Sequence, residues 1–159
     1  MTVNNFPKAT DTTINSPLSG PTLRPWDVNP DVIELQELLK AYGFRLAVTG
    51  EFDSHTEDAV MIFQQRHRVR VDAIVGPKTW AALKLNVKPG TRVLRKGLSG
   101  KDVYELQGLL QVNGYNIRRD GLFGEQTKQA VLDFQQRHKL RDDGIVDRVV
   151  WGILQGGNK

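Results

Sequence analysis

Two tandem three-helix bundles, all-α and joined by a short linker, are the fold this sequence predicts. Displaced by 71 positions, residues 23–83 align with 94–154 without a gap, and 26 of the 61 pairs are identical. Self-similarity of that length marks a duplicated structural unit. Within each copy the apolar residues recur three and four positions apart, the spacing of a helix face. A copy of about 60 residues is near the lower size limit for folding without a disulfide or a metal.

In chain order, residues 1–22 are rich in Thr, Asn, Ser and Pro without periodicity and read as a flexible N-terminal tail. The first helix opens at Asn29-Pro30, a capping residue followed by proline at the first helical position. Val32, Leu35, Leu39 and Tyr42 then share a face, and Gly43 supplies the left-handed residue that ends the helix. The second copy repeats this as Val103, Leu106 and Leu110, stopping at Gly114.

Next come the glycine turns, Thr49-Gly50-Glu51-Phe52 and Asp120-Gly121-Leu122-Phe123. The second helix is expected to start after Phe52, where Ser54 stands three residues before Glu57 in capping-box spacing. Thr56, Ala59, Val60 and Phe63, matched by Thr127, Ala130, Val131 and Phe134, form its buried stripe. A brief extended piece, Ile74-Val75 or Ile145-Val146, leads to a short third helix from Gly76-Pro77 or Asp147. That helix inserts Trp80 and Leu83, or Trp151 and Leu154. Residues 84–93, with Pro89-Gly90 inside, read as the linker, and 155–159 as a C-terminal tail.

Composition narrows the function. The chain has 39% hydrophobic and 25% charged residues, and no stretch approaches the roughly 18 to 20 consecutive apolar residues of a membrane span. No membrane partner is expected, and no classical signal peptide is seen. Zero cysteines exclude disulfides, thiolate metal sites and a cysteine nucleophile. The repeats carry 7 Lys or Arg against 9 Asp or Glu (23–83) and 10 against 8 (94–154), so neither has the basic excess of a nucleic-acid binder.

The second copy carries Leu106-Gln107, Asn113-Gly114-Tyr115, Asp120-Gly121-Leu122-Phe123-Gly124, Thr127, Ala130-Val131, Phe134-Gln135, Asp143-Gly144-Ile145-Val146 and Trp151 to Leu154. In this order they resemble the peptidoglycan-binding domain 1 family. The first copy resembles it less fully, with Phe44, Thr49, Asp53 and Ala73 at positions where the pattern has Tyr, Asp, Gly and Gly, but it keeps Val75-Gly76-Pro77-Lys78-Thr79-Trp80. The resemblance implies a non-catalytic module that anchors or targets a protein to bacterial peptidoglycan, at the cell wall, in the periplasm or outside the cell, or after release by phage lysis. Two further readings are the targeting portion of a phage or bacterial cell-wall hydrolase whose catalytic part is elsewhere, and a protein-interaction scaffold that kept the fold. A monomer is expected, with a cell-wall hydrolase as a candidate partner.

No enzyme, cofactor or metal site is expected, because the segments outside the repeats are too short for a catalytic domain. His67 and His138 stand at equivalent helix C-termini, where an imidazole meets the last carbonyls. His55 has no repeat partner. Asp31 and Asp102 lie in the first turn of a helix and complement its dipole, while Asp120, Asp142 and Asp143 adjoin turn glycines. Trp80 and Trp151 read as core anchors. Trp26 faces Gly97 in the alignment, so the shared core does not need it, and its ring is a candidate for sugar stacking. One glutamine of each pair, Gln64-Gln65 and Gln135-Gln136, is expected to satisfy buried backbone and the other to face a ligand. Tyr115 belongs to the family-like motif, and Arg118, Arg119 and Asp120 offer donors and an acceptor to the carboxylates and amides of a stem peptide.

Overall fold

The computed structural model describes residues 6–7 and 16–156. The described residues form six helices: α1 (Pro30–Ala41), α2 (Ser54–Arg66), α3 (Pro77–Leu85), α4 (Lys101–Val112), α5 (Glu125–Arg137) and α6 (Arg148–Leu154). The chain divides into two units, one ending at Val87 and the other running from Lys88 with Phe6 attached to it. Each holds one repeat.

In the first unit, the helical stripes converge as expected. Val32, Leu35, Leu38, Leu39, Phe52, Phe63, Val75, Trp80 and Leu83 make one core. The second unit repeats it with Val103, Leu106, Leu110, Phe123, Val131, Phe134, Val146, Trp151 and Leu154. Each fully buried aliphatic or aromatic side chain is worth about 1.5–3 kcal/mol against exposure, which is how so small a unit holds together. Isolated antiparallel bridges close both bundles at matched places, Leu23 with Val75 and Leu94 with Val146.

Most helix boundaries follow the local chemistry. Asn29 caps α1 by accepting from the Asp31 amide at 2.6 Å, with Pro30 first in the helix. The cap of α2 is Asp53, not Ser54; its carboxylate accepts from the Thr56 amide at 2.9 Å and the Thr56 hydroxyl at 2.8 Å. An ionised side chain is the stronger acceptor for paired donors, so the helix begins one residue after it.

Two expectations need correction. The N-terminal tail does not extend through residues 16–22. Leu18 is buried, the Trp80 indole donates to the Pro21 carbonyl at 2.6 Å, and the Lys84 ammonium donates to the Ser19 carbonyl at 2.6 Å. Gly20 passes so close to Trp80 that a Cβ there would lie 2.5 Å from the ring. Phe6 is also buried, its ring 4.9 Å from that of Tyr104 on α4; residues 1–5 and 8–15 lie outside the described residues, as do 157–159 of the expected C-terminal tail.

Residues 84–93 are likewise not a plain linker. Lys84 and Leu85 complete α3, Val87 joins the first core, and Arg92 is buried in the second unit. Asp102 stands in the first turn of α4, as expected, and in addition has a partner to which the repeat pattern gave no clue. It is fully buried and pairs with Arg92 at 2.8 and 3.0 Å, while Asp31 at the equivalent position is exposed.

Candidate functional site

Buried glutamines organise the loops between helices. In repeat 1, the Gln36 amide donates to the Thr49 and Thr56 hydroxyls and to the Glu51 carbonyl, while its oxygen accepts from the Thr49 and Gly50 amides. Gln107 grips Asp120, Gly121, Leu122 and Thr127 in the same manner. Such a clamp gives polar groups of the turn hydrogen-bond partners inside the bundle. The sequence places Gln107 in the family-like motif without giving it this role.

Gln64 and Gln135 do the same for the following loop. Gln64 donates to Asp72, the Ile74 carbonyl and the Thr79 hydroxyl, and accepts from the Asp72 and Ala73 amides. Gln135 donates to Asp143 and the Ile145 carbonyl and accepts from the Gly144 amide. Burial works against ionised Asp143, yet hydrogen bonds from the Ile145 amide and Gln135 outweigh it and hold the carboxyl below its usual value. The first glutamine of each pair therefore belongs to the scaffold. Gln65 and Gln136 are exposed, and Gln136 reaches Asp142 at 3.4 Å.

The charged loop of repeat 2 divides in two. Arg118 is exposed, its guanidinium 4.0 Å from Asp120. Arg119 turns away, lying over the Tyr104 ring at 4.0 Å and donating to the Tyr104 carbonyl and to Glu105. Gly108 makes room for it, since a Cβ there would sit 2.5 Å from the guanidinium. Asp120 accepts from Gln107 and the Leu122 amide and keeps its other oxygen toward Arg118. Tyr115 donates to Asp133 at 2.7 Å; desolvation, reinforced by that carboxylate, pushes its phenol up to about 12.

Trp26 remains the conspicuous surface aromatic. Its residue is 72% exposed and its φ is +76°, a region that L-residues rarely adopt, whereas Gly97 holds φ +103° at the same place in repeat 2. By contrast Trp80 and Trp151 are buried in the cores. His67 and His138 stack on Phe63 and Phe134 and place Nδ1 3.0 and 2.9 Å from their carbonyls, at the helix ends where the sequence placed them.

A groove of about 420 Å³ opens in repeat 1 between the α2–α3 loop and the start of α3, with walls that include Val69, Ile74 and Pro77 and cations from Arg70 and Lys78. Gly76, Pro77, Lys78 and Thr79 of the family-like motif line it. Among the described residues no group of three or more His, Asp or Glu side chains is arranged to hold a metal ion. None of their helices is long and apolar enough to cross a membrane.

Comparison with known proteins adds the following. A family model described as "Putative peptidoglycan binding domain" matches the chain twice, at residues 28–83 and 99–154. The chain is 36% identical over 143 residues to N-acetylmuramoyl-L-alanine amidase CwlM of Mycobacterium tuberculosis, a match covering 79% of this chain and 35% of that protein. It is 46% identical over 57 residues to the spore cortex-lytic enzyme of Bacillus subtilis, covering 35% and 19%. A solved structure of the SleB N-terminal domain is 36% identical, with a TM-score of 0.43, and covers 45% of this chain and all of that one. The chain thus spans about a third or less of the length of these two enzymes.

Proposed function

Because the chain belongs to the peptidoglycan-binding domain family, with one match on each bundle, we propose that it is a non-catalytic tandem anchor that retains a protein on bacterial murein. The observation that carries this reading is the double match itself. Two weak sites on one polymer raise the local concentration of each for the other and can give an avidity gain of order 10² to 10⁴. Duplication is then useful without any new chemistry.

The exposed polar residues supply the grip. Arg118 with Asp120, and Gln65 and Gln136, offer hydrogen bonds to stem-peptide amides and carboxylates. Trp26 offers a flat apolar face to a pyranose ring. An exposed tryptophan in a backbone region suited to glycine gains little from burial, which supports a role in contact with a ligand.

Pelleting of the chain with purified sacculi, followed by competition with soluble muropeptides, tests the reading. Retention that muropeptides reverse is the expected result, and a chain that stays in the supernatant ends it. A peptidoglycan zymogram tests the non-catalytic part, since clearing by this chain alone contradicts it. The relatives named as an amidase and as a cortex-lytic enzyme favour a second reading, in which the chain is the targeting portion of a cell-wall hydrolase.

A further inference from the structure

The third helices of the two units fill matching places in their cores, but polar side chains fasten them differently. In the first unit α3 is tied to its surroundings along its length. The Gln64 amide donates to the Thr79 hydroxyl at 3.1 Å, the Trp80 indole to the Pro21 carbonyl at 2.6 Å, and the Tyr42 hydroxyl to the Leu83 carbonyl at 2.7 Å. Lys84, in the last turn, donates to the Ser19 carbonyl at 2.6 Å and stands 3.4 Å from Glu34. Each tie joins α3 to another part of the unit, so the helix cannot leave without breaking them.

At the aligned positions, α6 keeps none of these ties among the described residues. Val150 replaces Thr79 and offers no hydroxyl to Gln135. Asn113 replaces Tyr42 and donates instead to the Leu109 carbonyl of its own helix at 2.8 Å. Gln155 replaces Lys84 and is exposed. Trp151 is retained and only 3% exposed, yet its indole N–H is buried without an acceptor among the described residues. An unmet buried donor favours any state in which water reaches it. The support that α6 gains instead, the Asp147 carboxylate on the Val150 amide at 3.0 Å, lies within its own first turn and travels with it.

We propose that α6 is a detachable element, which peels away at Asp147 while α4, α5 and the loop before it stay folded. Everything up to Val146 is held without it. Gln135 fixes Gly144 and Ile145, and Val146 exchanges two backbone hydrogen bonds with Leu94, at 2.8 and 3.1 Å. The hinge therefore falls at the next residue, Asp147. With seven residues α6 is too short to persist as a helix alone, so the released segment unwinds. Burial of Val150, Trp151 and Leu154 draws it back. Opening bares the core residues of α4, on which α6 packs. The tandem thus pairs a bundle whose third helix is fixed with one that breathes, whatever the ligand.

The test is native-state amide hydrogen exchange of the full chain in increasing sub-denaturing urea. The α6 amides, and that of Gln155, which bonds the Trp151 carbonyl, are expected to exchange at least about ten-fold faster than those of α5 and with little dependence on urea, as local opening does. The α3 amides should exchange together with those of α2. Val150→Thr offers Gln135 and Asp147 the kind of hydroxyl that Gln64 meets in Thr79 and Asp53 meets in Thr56. It should slow α6 exchange by about three-fold or more and leave α5 unchanged. Tyr42→Phe should speed α3 exchange relative to α2 by a similar factor. Equal protection of α5 and α6 with a shared urea dependence overturns the proposal. So does α6 exchange unmoved by Val150→Thr together with α3 exchange unmoved by Tyr42→Phe, since the ties would then not be what fastens a third helix.

Discussion

Arg92 and Asp102 form a two-pronged ion pair sealed inside the second repeat, with side chains 2% and 0% exposed. Arg92 also donates to the Ser99 carbonyl at 2.8 Å, so the segment before α4 is tied to the helix start. Removing one partner strands a buried charge, and Asp102→Ala should cost about 3–5 kcal/mol in chemical denaturation. Asp31→Ala, at the exposed counterpart, should stay within about 0.5 kcal/mol. Equal losses would show that the pair is not the cause.

Gln135→Ala should lose about 1–3 kcal/mol, because the Gly144 amide and the Ile145 carbonyl lose their partner inside the bundle. Gln136→Ala should leave stability within about 0.5 kcal/mol and weaken sacculus retention. Denaturant midpoints and pelleting, measured on both variants, separate the scaffold glutamine from the surface one.

Hydrogen bonds from the Thr56 amide and hydroxyl hold Asp53 below the usual carboxylate value. A depressed folded-state value stabilises the protein above the unfolded value near 3.8, and that contribution is lost as the pH falls through the folded value. Asp53→Ala should cost about 1–2 kcal/mol at neutral pH, and its penalty should shrink in melts taken below the unfolded value. A penalty that is flat with pH would contradict the assignment.

Tyr115 gives the opposite window. Its phenol value rises from 10.0 to about 12, so its contribution is complete below 10 and disappears as the pH climbs toward 12. Tyrosinate absorbance should show a late-titrating phenol that Tyr115→Phe removes. A wild-type titration unchanged by that substitution would rule it out.

Trp26→Gly should be tolerated to within about 1 kcal/mol, since relief of left-handed strain and the entropy cost of glycine oppose each other. Retention on sacculi should fall. Unchanged retention would remove Trp26 from the binding surface.

What the sequence revealed follows from physical range. The six helices were legible because period and duplication spoke together, as in Phe63 and Phe134. Trp26 was legible because its partner is a glycine. The partner of Asp102 was missed because Arg92 lies outside the aligned repeat, and an ion pair across a turn leaves no periodic trace. Leu18 was missed since one apolar residue in a polar stretch has no period either.

Phe6 packs on Tyr104 even though the whole first repeat separates them in the chain. A gene cut cleanly between the repeats would therefore hand each fragment the wrong share: the upstream piece would carry a ring with nowhere to rest, and the downstream piece would bare its tyrosine. Surface point variants, rather than bisected halves, are the fair way to compare the grip of the twins.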